Sequence, residues 1–246
     1  MSGHSKWATT HRQKAIVDAK RGAIFTKIGN QIAIAARGGT DPATNSALAL
    51  AIEKAKAANM PNANIQRAID QRAIDRVNDK NAAALEEVVY EAYGPGGAGI
   101  IVEAATDNKN RTYPEIRTAL TKNGGTMADA GSVMFQFTRK GVIRVAATGE
   151  DALLQILDAG AEDAVEESGG LTVYTDMKDL AKVRAAIAEA GLKIEDAELQ
   201  YVANNDVPIE DAETARKLLK VIDAVESLDD VTNVHTNADI TADVEL

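Results

Sequence analysis

The hydrophobic period of this chain changes once, and that change limits the architectures open to it. Up to about residue 77 the apolar residues recur at three- and four-residue steps. From Leu85 they alternate in steps of two or form short unbroken runs, interleaved with further helical stripes. A helical body followed by mixed strand-and-helix bodies is what such a switch allows. The expected class is α+β and multidomain: an N-terminal three-helix bundle, then two α/β domains, one ferredoxin-like and inserted in the other.

The first helix is expected from Asp18, with Ile24, Ile28, Ile32 and Ala35 on one face and Gly38-Gly39 ending it. Asp41-Pro42 opens a turn. Leu48, Ala51, Ile52 and Ala55 form a second stripe, which Met60-Pro61 stops. A third helix starts at a cap near Asn62 or Asn64 and turns Ile65, Ile69, Ala73 and Val77 inward. Within it QRAID occurs twice, at 66–70 and 71–75. Five residues advance a helix by about 500°, so Ile69 and Ile74 cannot share a face. Either Ile74 packs on the next domain or the helix ends early. Arg72 and Arg76 do share a face.

A strand over Val88, Tyr90 and Ala92 follows, then a GPGGAG turn at 94–99 and a buried strand IIVEAAT at 100–106. Thr112 and Glu115 read as a capping box with Pro114 in the first helical turn, and Gly124-Gly125 as the stop. VMFQF and GVIRV read as two strands separated by Thr138-Arg139-Lys140. From Gly141 the order is β-α-β-β-α-β, the split ferredoxin-like pattern, with helices near 151–158 and 177–190 and strands near 163–167, 171–175 and 194–203. A helix near 210–226 and a strand VTNVHTN then complement the earlier strands and helix. The domains expected are 1–80, a discontinuous 81–132 with 206–246, and an inserted 133–205.

Charge divides along the same lines. The net charge is −10, yet residues 1–80 hold 13 Lys and Arg against 6 Asp and Glu, and residues 81–246 hold 14 against 31. Gly3 to Gly39 contain seven cations against Asp18 alone, with the only Trp and two of the three His. A basic end on an acidic body points to a polyanion, and nucleic acid is the usual one. Residues 2–17 read as a polar arm. Its Trp7 either stacks on a base or folds back on the first helix.

Other chemistry is thinly represented. With no cysteine, disulfides, thiolate metal sites and Cys nucleophiles are excluded. No apolar run is long enough to span a membrane and no secretory leader is evident, so a cytoplasmic protein without membrane contact is expected. GPGGAG lacks the Gly-Lys-Ser/Thr ending of a phosphate loop and precedes a strand, so a hairpin is the reading. Asp107 to Arg111 precede a helix and are either an anion site or a capped loop. His4 and His11 have no carboxylate nearby, and His235 stands alone on a strand. Glu162, Asp163, Glu166 and Glu167 read as a solvated face. No catalytic residue, metal or cofactor is assigned, and the chain is not expected to be an enzyme.

The motifs SGHSKWATTHRQKA, DAKRGAIFTKI, GTDPATNSALALAIEKAKAANMP, YEAYGPGG, DNKNRT, GSVMFQF and DAETARKLLKVID resemble the YebC/PmpR family, which includes mitochondrial translational activators. The resemblance spans nearly the whole chain. It implies three domains, the third inserted in the second. It also implies a non-enzymatic regulator of gene expression: a ribosome- or rRNA-associated translation factor assisting synthesis through proline-rich stretches, or a DNA-binding transcriptional regulator. One departure stands out. The family commonly has a glycine-bearing linker after the RAI motif, where this chain continues its repeated QRAID, so a stiffer or differently oriented hinge is expected. The contacts expected are Lys6, Trp7, His11, Arg12, Lys14, Lys20, Arg21 and Lys27, with Asn108, Lys109, Asn110, Arg111, Arg139 and Lys140 as weaker candidates for anions. A protein partner on the acidic C-terminal half is a further expectation.

Overall fold

A computed structural model describes residues 21–78, 85–167 and 169–242, with the side chains of 21–23 and 71–78 left out. The first three helices are α1 (Arg21–Ala35), α2 (Ser46–Ala57) and α3 (Asn62–Asn78). Their stripes meet in a core of Ile28, Ile32, Leu48, Ala55, Met60, Ile65 and Ile69. Asn45 ties two helices together: its Oδ1 accepts the Leu48 amide at 3.1 Å, capping α2, and its Nδ2 donates to the Ala35 carbonyl ending α1 at 2.7 Å. α3 runs unbroken to Asn78, so the second QRAID is helical and the early stop does not occur. The direction of Ile74 lies outside the described residues.

The first sheet has the order β3-β1-β2-β9, all antiparallel, from β1 (Glu86–Tyr93), β2 (Gly99–Thr106), β3 (Thr126–Met127) and β9 (Val231–Thr236). Every residue of β2 is buried. Helices α4 (Lys109–Asn123) and α7 (Ala212–Glu226) cover one face, packing Ile116, Leu120, Leu218 and Ile222 on Ile100, Val102 and Ala104. GPGGAG is a hairpin turn with Gly96 and Gly97 at φ of 77° and 79°. At Gly96 a Cβ would lie 2.5 Å from Ile209 Cδ1, so conformation and space both demand glycine there.

The second sheet has the order β5-β6-β4-β7, from β4 (Phe137–Val145), β5 (Asp163–Glu167), β6 (Gly170–Thr175) and β7 (Ile194–Ala203). With α5 (Glu150–Asp158) and α6 (Leu180–Glu189) it closes a core of Ile143, Val145, Ile156, Leu171, Val173, Val183 and Ile187. Numbered within this body, the order 2-3-1-4 is that of the split βαββαβ unit. All four strands lie between β3 and β9 in sequence, and β9 returns beside β2 in the first sheet.

Four local readings are corrected. The cap of α4 is Asn108, whose side chain accepts the Arg111 amide at 3.2 Å; Thr112 lies inside the helix, where its hydroxyl donates to Asp230 at 2.6 Å. Asn108 begins the helix a turn early, and Pro114 therefore sits in the second turn, not the first. VMFQF is not a strand, and Thr138-Arg139-Lys140 do not interrupt one. Residues 134–136 form a 3₁₀ turn, and β4 pairs with β7 without a gap from Phe137 to Arg144. The buried Glu91 carboxylate accepts the amides of Gly131, Val133 and Met134 at 2.6, 2.6 and 2.7 Å and so keeps that segment a loop. α6 begins at Leu180 rather than Met177. A parallel pair, β8 (Val207–Ile209) with β10 (Ala238–Ile240), was not anticipated, since three-residue strands show no period.

Candidate nucleic-acid interface

Of the eight expected contacts, Lys6, Trp7, His11, Arg12, Lys14 and Lys20 lie outside the described residues. Arg21 is the first residue of α1, with its side chain undescribed. Lys27, two turns along α1, donates its ammonium to the Glu226 carbonyl at the end of α7. A cation among the last carbonyls of a helix is favoured by its dipole. Lys27 therefore anchors α1 to the first sheet's body rather than standing in solvent. α1 also touches β2 and β9 directly, so one side of it meets α2 and α3 and the other meets the sheet. Two ion pairs fix α2 to the second sheet's body: Lys54 with Glu198 at 2.5 Å, and Glu53 with Arg184. Lys56 and Arg67 are exposed on the helical body.

All but Asn110 of the second group of expected contacts are engaged internally. Asn108 is the cap, and Asn110 is exposed. Lys109 pairs with Glu86 at 2.6 Å. The Arg111 guanidinium reaches both oxygens of Asp230, at 3.0 and 2.9 Å, and Asp107 at 3.2 Å. Thr106 and Thr112 also donate to Asp230, at 3.2 and 2.6 Å. Burial pushes the Asp230 carboxyl up, but the hydrogen bonds from Thr112 and Arg111 outweigh it and hold the group below the usual range. The anion favoured at the start of α4 is thus supplied by the chain itself. Arg139 lies 3.8 Å from Glu103 and 4.0 Å from Glu87, over the Tyr201 ring, and Lys140 pairs with Glu162 at 3.0 Å.

One cluster escaped the sequence reading. His235, isolated in sequence, is 7% exposed, and its Nε2 lies 2.9 Å from Oε2 of Glu103, itself 3% exposed. Asn233 donates to the same carboxylate at 3.0 Å, and Tyr201 of β7 meets the His235 ring edge-on at 5.7 Å. Burial raises the Glu103 carboxyl, yet His235, Asn233 and Arg139 together hold it below the ordinary value. The signal was a glutamate inside the apolar run IIVEAAT, which needs a partner once β2 is buried. The cluster joins β2 and β9 of the first sheet to β4 and β7 of the second. The acidic run at 162–167 is dispersed: Glu162 meets Lys140, and Glu167 accepts from Thr172 at 3.2 Å. Among the described residues no three His, Asp or Glu side chains converge on a metal position, and no helix is long and apolar enough to cross a membrane.

Comparison with known proteins agrees along the full length. Residues 5–75 match a family profile described as the TACO1/YebC protein N-terminal domain, and residues 85–238 one described as the TACO1/YebC second and third domain. A probable transcriptional regulatory protein of Frankia casuarinae is 47% identical, over 99% of this chain and 98% of its own. One of Kocuria rhizophila is 49% identical, over 99% and 97%. The crystal structure of a conserved hypothetical protein from Aquifex aeolicus superposes with a TM-score of 0.86 at 40% identity, covering 94% of this chain and 95% of that one.

Proposed function

The chain belongs to the TACO1/YebC family, and from that premise we propose that it is a non-enzymatic, cytoplasmic regulator of gene expression that binds nucleic acid through its basic N-terminal end. The observation that carries this is the charge division, 13 cations to 6 anions before residue 81 and 14 to 31 after it. The acidic body repels a polyanion and the basic end attracts it, so the complex has one favoured orientation. The contacts are Lys6, Arg12, Lys14, Lys20 and Arg21 to phosphate, with Trp7 stacking on a base and His11 beside it. Lys27 serves the joint between α1 and α7 instead.

Ribosomal RNA is the target we favour, with assistance to synthesis through proline-rich stretches as the role. In sequence the basic segment leads into α1, and α1 is flanked by α2 and α3 on one side and the first sheet on the other. A helix held in that way is poorly placed to enter a major groove. A basic arm with one Trp suits irregular RNA, whose bases are open to stacking. The second reading is a DNA-binding transcriptional regulator, which the names borne by the relatives favour. Co-sedimentation with ribosomes and crosslink mapping separates the two. The expected result is a crosslink from the first 39 residues to ribosomal RNA at physiological salt. Protection of a defined promoter segment, with no ribosome association, would replace this reading with the second.

A further inference from the structure

In a part of the chain where acids outnumber bases 31 to 14, α4 runs the other way: Lys109, Arg111, Arg117 and Lys122 stand against Glu115 alone. Glu86 and Asp230 occupy the first two cations. Arg117 and Lys122 are exposed and make no ion pair among the described residues. At about 100° per residue, Pro114, Thr118 and Thr121 fall along the solvent side, opposite the buried Ile116 and Leu120. Tyr113 and Arg117 rise on one flank of that line and Lys122 on the other. The six residues Tyr113, Pro114, Arg117, Thr118, Thr121 and Lys122 line a shallow groove of about 400 Å³, small side chains forming its floor and long ones its walls.

Tyr113 is 42% exposed, and the half-buried Tyr90 braces it with ring centroids 6.0 Å apart and planes inclined at 51°. A ring held in place beside two uncommitted cations suits a base on the ring and phosphates on the cations. An acidic peptide would use the cations and leave the ring face idle. We propose that this face of α4 is a second binding surface, for single-stranded nucleic acid, with a base stacked on Tyr113 and phosphates on Arg117 and Lys122. It rests on the nucleic-acid reading given above and adds a contact outside the N-terminal end.

The test uses the full chain and a fluorescein-labelled oligouridine RNA of about 20 nucleotides, a length that spans more than one such site, titrated by anisotropy across a range of salt. Tyr113→Ala weakens binding at least about fivefold, the lower end of one lost stacking contact, and Tyr113→Phe stays within about twofold. Arg117→Ala with Lys122→Ala makes the slope of log affinity on log salt shallower by about 1.4, two single-strand phosphate contacts. All three positions are exposed, and thermal unfolding checks the fold of each variant; the cation pair and the Phe variant keep the test decisive if Tyr113→Ala unfolds. If Lys20→Ala with Arg21→Ala weakens binding while the α4 variants match wild type, the α4 surface is overturned and the N-terminal reading stands. If wild type binds ribosomes but not oligouridine, the α4 surface again falls alone; if it binds neither, both fall. A polyglutamate peptide that displaces nothing yet binds wild type and loses affinity on Arg117→Ala with Lys122→Ala, where oligouridine does not, overturns the proposal in favour of an acidic protein partner.

Discussion

Asp230 shows how a half-buried charge can be kept by drawing partners from two segments, the end of β2 and the first turn of α4. Arg111, Thr106 and Thr112 all donate to it, so removing its carboxylate leaves Arg111 with Asp107 alone and sends the Thr112 hydroxyl back to the Asn108 carbonyl. Asp230→Ala is expected to cost about 1.5–3 kcal/mol at pH 7, the range for hydrogen bonds to a charged group. The folded carboxyl titrates below its ordinary value, so its contribution is complete at pH values above the unfolded pKa and is lost as pH falls through the folded one. Urea unfolding at pH 7 and at pH 3 checks this: the gap between wild type and variant narrows as the pH drops below about 4. Glu103 has the same sign, with burial opposed by His235, Asn233 and Arg139, and acid weakens the junction between the two sheets for the same reason.

Elements were legible in the sequence where one face of each is buried and the period is clean, as in α2, β2, β6 and α7. They were illegible where a distant residue decides. β4 continues through Thr138-Arg139-Lys140 because β7 pairs with it there, more than 55 residues later in the chain. The cap of α4 moved to Asn108 because Asp230 claims the Thr112 hydroxyl from across the sheet. For the site, the residue types and the basic segment were readable, but the engagement of Lys27 by a carbonyl 199 residues away was not. Lys27→Met is expected to lower stability by about 0.5–1 kcal/mol, the worth of a cation at a helix C-terminus, and to leave the salt slope of nucleic-acid binding unchanged. A shallower slope would return Lys27 to the interface. The β1–β2 turn offers a sharper comparison. Gly97→Ala meets nothing within 4 Å and carries only the left-handed penalty, about 1–2 kcal/mol. Gly96→Ala adds a clash with Ile209 and is expected to cost about 1–3 kcal/mol more, by denaturant midpoint.

At the scale of the whole molecule, binding is set by where charge sits rather than by its sum. Five phosphate contacts at the N-terminal end give a slope of log affinity on log salt of about −4.5 on duplex DNA and shallower on single strands. A chain lacking residues 1–20 loses Lys6, Arg12, Lys14 and Lys20, and its slope falls by about 3 on single strands. Full-strength binding by that shortened chain would remove the N-terminal end from the interface. The return of β9 to the flank of β2 has its own bearing on how the molecule comes into being. As the polypeptide emerges from N to C, the β1–β2 hairpin is made early but keeps an open edge, and an apolar face only half covered by α4, until Ala212 to Thr236 have been synthesised. The later-born ferredoxin-like unit already has all its strands by then. Maturation of the nascent chain thus runs from the middle outward, and its last act is the closing of a sheet begun more than a hundred residues before.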